Sequence, residues 1–178
     1  MTISSLNYNP VLARKIILAI FCALMFVHLG FVFAGFYKGD DINFSRYAAA
    51  FAHQGFSYQI PTDHFQLRWT PIFFTAIFYK LWGINAFTSG LFSTICIALC
   101  GFILHKIIRR QPISVYLLTM ALFFFSRAMV FYGHRLLADG PVCLAVLSMY
   151  YFYRSALGCK PANASDGSAL LKVVSLSA

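Results

Sequence analysis

The stretch INAFTSGLFSTICIALCGFIL, residues 84–104, contains no charged side chain and is followed directly by HKIIRR, residues 105–110. An α-helix needs roughly 20 consecutive apolar residues to cross a hydrocarbon core of about 30 Å. Basic residues at the end of such a segment are typical of the cytoplasmic side of a membrane helix. The stretch therefore predicts a transmembrane helix whose C-terminal end faces the cytoplasm.

Three further segments, residues 16–37, 113–131 and 141–157, are also mostly apolar and long enough to span. The chain is 60% hydrophobic, 18% aromatic and only 11% charged, which excludes an ordinary soluble domain. We therefore predict an all-α integral membrane protein with about four transmembrane helices. Placing both termini in the cytoplasm puts one group of basic residues on that side, as the positive-inside rule requires: Arg14, Lys15, Lys106, Arg109, Arg110, Arg154 and Lys160.

The net charge of +9 could suggest a nucleic-acid partner. Nucleic-acid binding needs basic groups gathered on a water-facing patch, whereas here they lie at the ends of apolar runs. We therefore expect a membrane lipid partner and no nucleic-acid partner. The cell membrane is the expected location, with the bacterial inner membrane preferred to the endoplasmic reticulum because the loops are short and no retention signal is present.

The external segment, residues 38–83, contains the first of two further helical patterns at residues 41–54. Its apolar residues recur at helical spacing, and Gly55 follows as a stop signal. This pattern predicts an amphipathic helix lying on the membrane surface. The residues of its apolar face are Phe44, Tyr47, Ala48, Phe51 and Ala52.

The second pattern covers residues 70–82. Thr70 and Pro71 are suited to the start of a helix, and Gly83 is suited to its end. About a dozen residues are too few to span a membrane. We therefore expect a helix in the outer interface, with Tyr79 and Trp82 at the level of the lipid headgroups. Residues 158–178 are expected to form a loop-like cytoplasmic tail.

Acidic residues are rare in this chain, and four of the five lie in the predicted external segments: Asp40, Asp41, Asp63 and Asp139. A hydroxyl group that attacks an anomeric carbon benefits from a carboxylate that takes its proton, typically by ~10²- to 10⁴-fold. The simpler interpretation is that Asp40 and Asp41 cap the surface helix and that Asp139 caps the fourth span. The residues alone leave both interpretations open.

Three stretches of the chain carry a resemblance to a known family. They are GDD (39–41) with RYA (46–48) downstream, WTP (69–71) leading through YKLWGIN (79–85), and GHRLLADGP (133–141). Their order resembles the amino-terminal part of the polytopic GT-C type glycosyltransferases, in particular the protein O-mannosyltransferase-like family that includes aminoarabinose transferases of lipid A. The resemblance covers roughly residues 15–157.

The resemblance implies inverting transfer of a sugar from a polyprenyl-phosphate carrier to a glycan, lipid or protein acceptor on the periplasmic or lumenal face. Carried over by position, the base is Asp41 or Asp40, with Asp41 slightly favoured, and Asp139 assists. The family usually has Asp-Glu closely followed by Arg-Tyr, whereas here the acidic pair is Asp-Asp and Arg46 lies farther on.

A lipid phosphate leaving group needs positive charge nearby, and guanidinium groups bind phosphate through paired N–H donors. The candidate phosphate- or substrate-binding residues are Arg68, Arg135, Arg127 and His64. The family commonly has Lys-Pro-Pro at the start of the short helix, and Arg68 is the nearest substitute here. Each arginine could instead anchor the chain to lipid phosphates. No cofactor is required and no metal site is predicted, while a role for a divalent metal stays open.

Family members carry many more spans, so we expect a truncated transferase that needs missing spans or a partner membrane subunit. Two alternatives stay open. The first is a non-catalytic small membrane protein, derived from such an enzyme, that binds a lipid-linked sugar or a partner subunit. The second is an unrelated four-helix membrane transport component whose Asp and Arg residues line a polar path. The external helices favour the first two of these three functions, because small transporters usually connect their spans by short loops.

Overall fold

The computed structural model describes residues 9–32, 39–58, 69–132, 135–136 and 139–156. These residues form α-helices and one short 3-10 turn, with no β-strand among them. The helices are α1 (Pro10–Val32), α2 (Asp40–Gln54), α3 (Trp69–Trp82), α4 (Ala86–Ile108), α5 (Ile113–Phe125), α6 (Arg127–Tyr132) and α7 (Asp139–Ala156). The tail predicted for residues 158–178 lies outside the described residues.

Two helices of the described chain are long and apolar enough to cross a membrane. They are Pro10–Phe31, with 22 residues and a mean hydropathy of 2.2, and Ala86–Ile108, with 23 residues and a mean hydropathy of 2.1. At about 1.5 Å per residue, each is slightly longer than a hydrocarbon core of about 30 Å. The apolar helix α5 has 13 residues and falls short of that length.

The first helix begins six residues before the segment predicted as a span. The Asn9 side chain accepts hydrogen bonds from the backbone N–H groups of Val11 and Leu12, at 3.0 and 3.2 Å. Pro10 then occupies the first helical position, where its missing N–H group costs nothing. Arg14 and Lys15 therefore lie within α1 and do not precede it.

The segment 113–131, predicted as one span, is not one continuous helix, because it breaks at Ser126. The Ser126 backbone is extended, with ψ 144°, and its Oγ accepts a hydrogen bond from the Met129 N–H group at 3.3 Å. The same hydroxyl donates to the Phe123 carbonyl at 3.2 Å. Ser126 thus ends α5 and acts as the N-cap of α6.

Helices α1, α4 and α5 pack together, and we call them the α1–α4–α5 bundle. Arg14 Nη2 donates to the Gln111 carbonyl at 2.9 Å, and His28 Nε2 lies 3.2 Å from the Val130 carbonyl. These two contacts show that α5 and α6 together run parallel to α1 for most of its length. The buried core of the bundle consists of Met25, Ile97, Tyr116, Met120 and Phe124.

Helices α2 and α3 form a second group, the α2–α3 unit. The Phe51 ring contacts the rings of Trp69 and Phe73 edge-on, with centroids 5.8 and 5.9 Å apart. The apolar face of α2, predicted to lie on the membrane surface, is thus covered by α3. The buried core of the unit consists of Phe44, Ala48, Phe51, Ile72, Ala76, Tyr79 and Leu136.

Helix α4 belongs to the bundle, contacts the α2–α3 unit and also packs against α7. Phe74 of α3 stacks on Phe92 of α4 with ring centroids 4.7 Å apart. At the start of α7, a Cβ atom added to Gly140 would lie 3.3 Å from the Ser93 carbonyl oxygen, so glycine permits close approach of the two helices. Farther along both helices, Cys143 of α7 lies close to Cys100 of α4. The order of these contacts shows that α4 and α7 run parallel.

Candidate functional site

The acidic pair lies in the first turn of α2, directly after Gly39. Gly39 has a positive φ of 106° and stands at the N-cap position, so neither aspartate is the capping residue itself. The partial positive charge of the helix N-terminus favours carboxylates at these positions. Asp40 is partly exposed, whereas Asp41 is only 3% exposed. The two aspartates therefore differ in burial, a difference that the sequence alone does not reveal.

Asp41 lies on the face of α2 that also supplies Phe44, Ser45 and Ala48, all of them buried. The spacing of three, four and seven residues places these side chains on one side of the helix. An ionised carboxylate in such a place loses much of its hydration, which costs free energy that charged or hydrogen-bonding neighbours must offset. A buried carboxylate at a helix N-terminus is thus a candidate for chemistry as well as for structure.

A chain of buried hydroxyl groups begins one helical turn from Asp41. Ser45 Oγ lies 2.8 Å from Tyr79 Oη, which lies 2.7 Å from Ser89 Oγ. Ser89 donates to the Asn85 carbonyl at 2.7 Å. Because a carbonyl only accepts, the proton of Ser89 is used there, so Tyr79 donates to Ser89 and Ser45 donates to Tyr79. The chain fixes α2, α3 and α4 relative to one another in one direction of hydrogen bonding.

Arg135 and Leu136 belong to the described part of the connection between α6 and α7. Leu136 is buried within the core of the α2–α3 unit, and Arg135 is 7% exposed. Because Arg135 directly precedes Leu136 in the chain, it borders the unit whose helix α2 carries Asp41. The structure thus brings one predicted carboxylate and one predicted phosphate-binding residue to the same unit of the fold.

Asp139 is the first residue of α7 and is exposed. The next residue, Gly140, packs against Ser93 of α4, and Ser93 lies one turn after Ser89. Asp139 and the hydroxyl chain that leads to Ser45 therefore both lie at the N-terminal half of α4. The predicted helper Asp139 thus starts beside the helix that carries Ser89, and unlike Asp41 it is exposed.

The remaining predicted site residues are placed differently. Arg127 is exposed and begins the short helix α6, just after the break at Ser126. Arg127 therefore stands at a helix boundary, because the segment 113–131, predicted as one span, breaks at Ser126. Arg68 and His64 lie outside the described residues. Among the residues that the structure does describe, no group of three or more His, Cys, Asp or Glu side chains could hold a metal ion.

Sequence reasoning missed Ser45, Tyr79 and Ser89. We expected Tyr79 at the level of the lipid headgroups, yet it is 3% exposed and central to the hydroxyl chain. One signal was available, since Asp41 and Ser45 are four residues apart and so share a helix face. The pairing of these hydroxyls between three helices depends on tertiary packing and has no local signature.

Comparison with protein-family models, with curated proteins and with solved structures found no match. The resemblance to GT-C glycosyltransferases thus rests on the three sequence stretches alone. Any function of the site has to be argued from Asp41, Arg135 and their surroundings.

Proposed function

We propose that this chain is a membrane glycosyltransferase, or a truncated member of that class, which transfers a sugar from a polyprenyl-phosphate carrier to a glycan, lipid or protein acceptor. One observation carries the proposal. Asp41 is buried on α2, and Arg135 is buried and directly precedes Leu136, which belongs to the core of the α2–α3 unit. Ionisable residues that are buried in a membrane protein commonly serve a function, because their burial costs free energy.

In the proposed reaction, Asp41 accepts the proton of an acceptor hydroxyl as that hydroxyl attacks the anomeric carbon. The bond from this carbon to the carrier phosphate breaks on the opposite face, which gives inversion. The departing phosphate gains negative charge, and Arg135 stabilises it through paired N–H donors. Asp139, at the same end of α4, orients the acceptor.

Burial distinguishes the two candidate bases. Burying a carboxylate costs free energy, so the buried aspartate is the stronger candidate for a functional role. Asp41 is the buried member of the pair, and the hydroxyl chain beginning at Ser45 holds the next turn of its helix. We therefore assign the base to Asp41 and a supporting electrostatic role to Asp40.

The proposal includes a membrane topology of four crossings. The helices α1, α4 and α7 and the pair α5–α6 would cross in alternating directions, with both termini in the cytoplasm of a bacterial inner membrane. The parallel course of α1 and α5–α6, and of α4 and α7, supports this alternation. The broken pair α5–α6 extends from beside Arg14 to beside His28, almost the full length of α1.

The test is transfer activity of the Asp41→Asn variant in membranes that contain the full chain. The donors are polyprenyl phosphomannose and polyprenyl phosphoaminoarabinose, and the readout is release of polyprenyl phosphate. Asparagine keeps the shape of the side chain but cannot accept the proton, so we expect a loss of about 10²- to 10⁴-fold. Asp40→Asn is the matched control, with an expected loss below about tenfold because Asp40 is partly exposed.

Equal abundance of the two variants in the membrane is the required check on folding. Transfer that persists at the wild-type rate in Asp41→Asn would remove the base from this site. A greater loss in Asp40→Asn than in Asp41→Asn would reverse the assignment within the pair. Absence of transfer by the unaltered chain with either donor would exclude transfer of these two sugars by the chain alone.

A further inference from the structure

The end of the molecule opposite the acidic pair contains a cleft between the C-terminal parts of α4 and α7. Its volume is about 150 Å³. This is smaller than the ~300–1,000 Å³ of sites that enclose drug-sized ligands, so it suits one small group. The cleft is lined by Lys106, Ile107, Arg109, Arg110, Tyr151, Arg154 and Ser155.

The residues that line the cleft follow a regular spacing in the sequence. Lys106, Arg109 and Arg110 are spaced by three and four residues on α4 and its end, and Tyr151, Arg154 and Ser155 repeat that spacing on α7. Residues at this spacing share one helix face. The two faces meet at the cleft, which presents four cationic groups and two hydroxyl groups to whatever lies there.

In the part of the chain that the structure describes, no carboxylate lines the cleft. Between residues 64 and 165 the only acidic residue is Asp139, at the start of α7. It precedes Arg154 by 15 residues, which is about 22 Å along a helix. Like charges at this spacing repel one another, so an anion in the cleft would relieve the repulsion.

The chemistry of the lining favours a phosphate group. Arginine guanidinium groups bind phosphate through two parallel N–H donors, and tyrosine and serine hydroxyls can donate to the remaining oxygens. Lys106 is held in place by a cation–π contact, since its Nζ lies 5.1 Å from the centroid of the Phe102 ring. The groups that would hold a phosphate are therefore partly positioned in advance.

The surroundings of the cleft favour a lipid over a free phosphate. Helix α4 is long and apolar enough to span a membrane, and in the proposed topology, on which this inference rests, its end at Ile108 stands at headgroup level. Toward the middle of α4, Leu99 and Phe102 lie on the same helix face as Lys106, and both are apolar and exposed. Acyl chains can lie against this surface while the headgroup phosphate lies in the cleft.

We propose that the cleft between the C-terminal ends of α4 and α7 binds the phosphate of an anionic phospholipid headgroup. Basic pockets between membrane helices on the cytoplasmic side are known to bind such headgroups. This site lies at the opposite end of α4 from Asp41 and does not depend on sugar transfer. Its role is to fix the relative position of α4 and α7 at the cytoplasmic surface.

The experiment titrates short-chain phosphatidylglycerol into the full chain in a neutral detergent and measures the dissociation constant. Each basic residue near a membrane surface contributes roughly fivefold in affinity for anionic lipid. We therefore expect the double variant Arg109→Gln with Arg154→Gln to raise the dissociation constant by about 25-fold. Lys15→Gln is the matched control, because Lys15 is exposed on α1 and does not line the cleft.

Three further measurements make the result decisive. Short-chain phosphatidylcholine should bind at least about fivefold more weakly than phosphatidylglycerol, because it lacks net charge. Arg109→Lys with Arg154→Lys should give an intermediate loss, since lysine keeps the charge but not the paired donors. If the double glutamine variant fails to fold, the single Arg109→Gln variant, with an expected loss of about fivefold, replaces it.

Three outcomes would overturn the proposal. An equal loss in Lys15→Gln would mean that diffuse charge attracts the lipid and that the cleft is no site. Equal affinity for phosphatidylcholine would remove the role of the anionic headgroup. Displacement of the lipid by inorganic phosphate at the same concentration would assign the cleft to free phosphate instead of a lipid.

Discussion

Helix α4 packs against α1 and α5 in the α1–α4–α5 bundle and also contacts the α2–α3 unit. The two sets of contacts differ in kind. In the bundle, the contacts midway along the helices are apolar. Phe21 stacks on Phe124 with ring centroids 5.4 Å apart, and Phe124 lies over Gly101 of α4. Polar contacts such as that of Arg14 with Gln111 lie toward the ends of the bundle.

In the α2–α3 unit, the link to α4 includes a chain of hydroxyl groups through the buried centre, in addition to the stacking of Phe74 on Phe92. Ser45, Tyr79 and Ser89 are joined by bonds of 2.8 and 2.7 Å. Apolar packing tolerates small shifts, whereas a fully satisfied polar chain specifies one arrangement. The comparison teaches that hydrogen bonds through the buried centre help to specify the arrangement of the helices next to Asp41.

The largest expected effect is on the bundle, from Gly101→Leu. A side chain at this position would collide with the ring of Phe124, which is buried and stacked on Phe21. Overpacking of a core typically costs 1–3 kcal/mol, and we expect about 3 kcal/mol here because moving the ring breaks its stacking on Phe21. The measurement is thermal or denaturant-induced unfolding of the purified chain in detergent.

Gly30→Leu is the matched control for this prediction. Gly30 lies in α1, and nothing stands within 4 Å of the position that its Cβ would occupy. Replacing a helical glycine by a better helix former stabilises by roughly 0.5–1 kcal/mol. If Gly101→Leu were no less stable than Gly30→Leu, the close contact of α4 with α5 would be refuted.

The next effect is on the α2–α3 unit, from Tyr79→Phe. The substitution removes one hydroxyl group and both hydrogen bonds that it makes, with Ser45 and with Ser89. A buried donor left without a partner costs about 1–3 kcal/mol, so we expect the unit to lose about 2 kcal/mol. The measurement is amide hydrogen exchange, in which α2 and α3 should exchange faster while the middle of α5 stays unchanged.

Tyr153→Phe is the control for loss of a hydroxyl group, because Tyr153 is 65% exposed on α7. It should change exchange nowhere in the α2–α3 unit. Ser45 has one way to limit the damage in Tyr79→Phe, since a serine within a helix can donate to the carbonyl four residues earlier, here that of Asp41. Uniform acceleration of exchange across the molecule would contradict the separation of the two regions.

The sequence predicted the limits of the helices where a residue type determines the backbone. The predicted ranges 41–54 and 70–82 differ by one residue at most from α2 and α3 at each end. Gly55 and Gly83, which follow these helices, have positive φ angles of 63° and 79°, which glycine adopts without strain. Proline at the start of a helix and glycine after its end are local signals.

The break at Ser126 and the hydroxyl chain could not be predicted from the sequence, for a physical reason. Serine is found both within helices and at their N-caps, so the pattern around Ser126 permits a continuous span as well as a break. For the site, the sequence selected Asp41 among few acids. Its burial and the hydrogen bonding of Ser45 through Tyr79 to Ser89 depend on residues up to 44 positions apart.

The smallest effect compares the two asparagine caps, Asn85 at the start of α4 beside the hydroxyl chain and Asn9 at the start of α1. Asn85 Oδ1 accepts from the Thr88 N–H group at 2.9 Å, and Thr88 Oγ1 accepts from the Asn85 N–H group at 3.1 Å. This capping box lies part-buried at the start of α4, next to Ser89 and the hydroxyl chain. The cap of α1 at Asn9 is exposed and makes no such reciprocal bond with its helix.

We expect Asn85→Ala to cost about 1 kcal/mol and Asn9→Ala about 0.5 kcal/mol, within the range for N-caps. The difference arises because water replaces the bonds of an exposed cap more readily than those of a part-buried one. Amide exchange of Thr88, compared with that of Leu12, measures both effects in the same molecule. A larger loss at Asn9 than at Asn85 would mean that the start of α4 is as open to water as the start of α1, and the hydroxyl chain at Ser89 would then lose its dry surroundings.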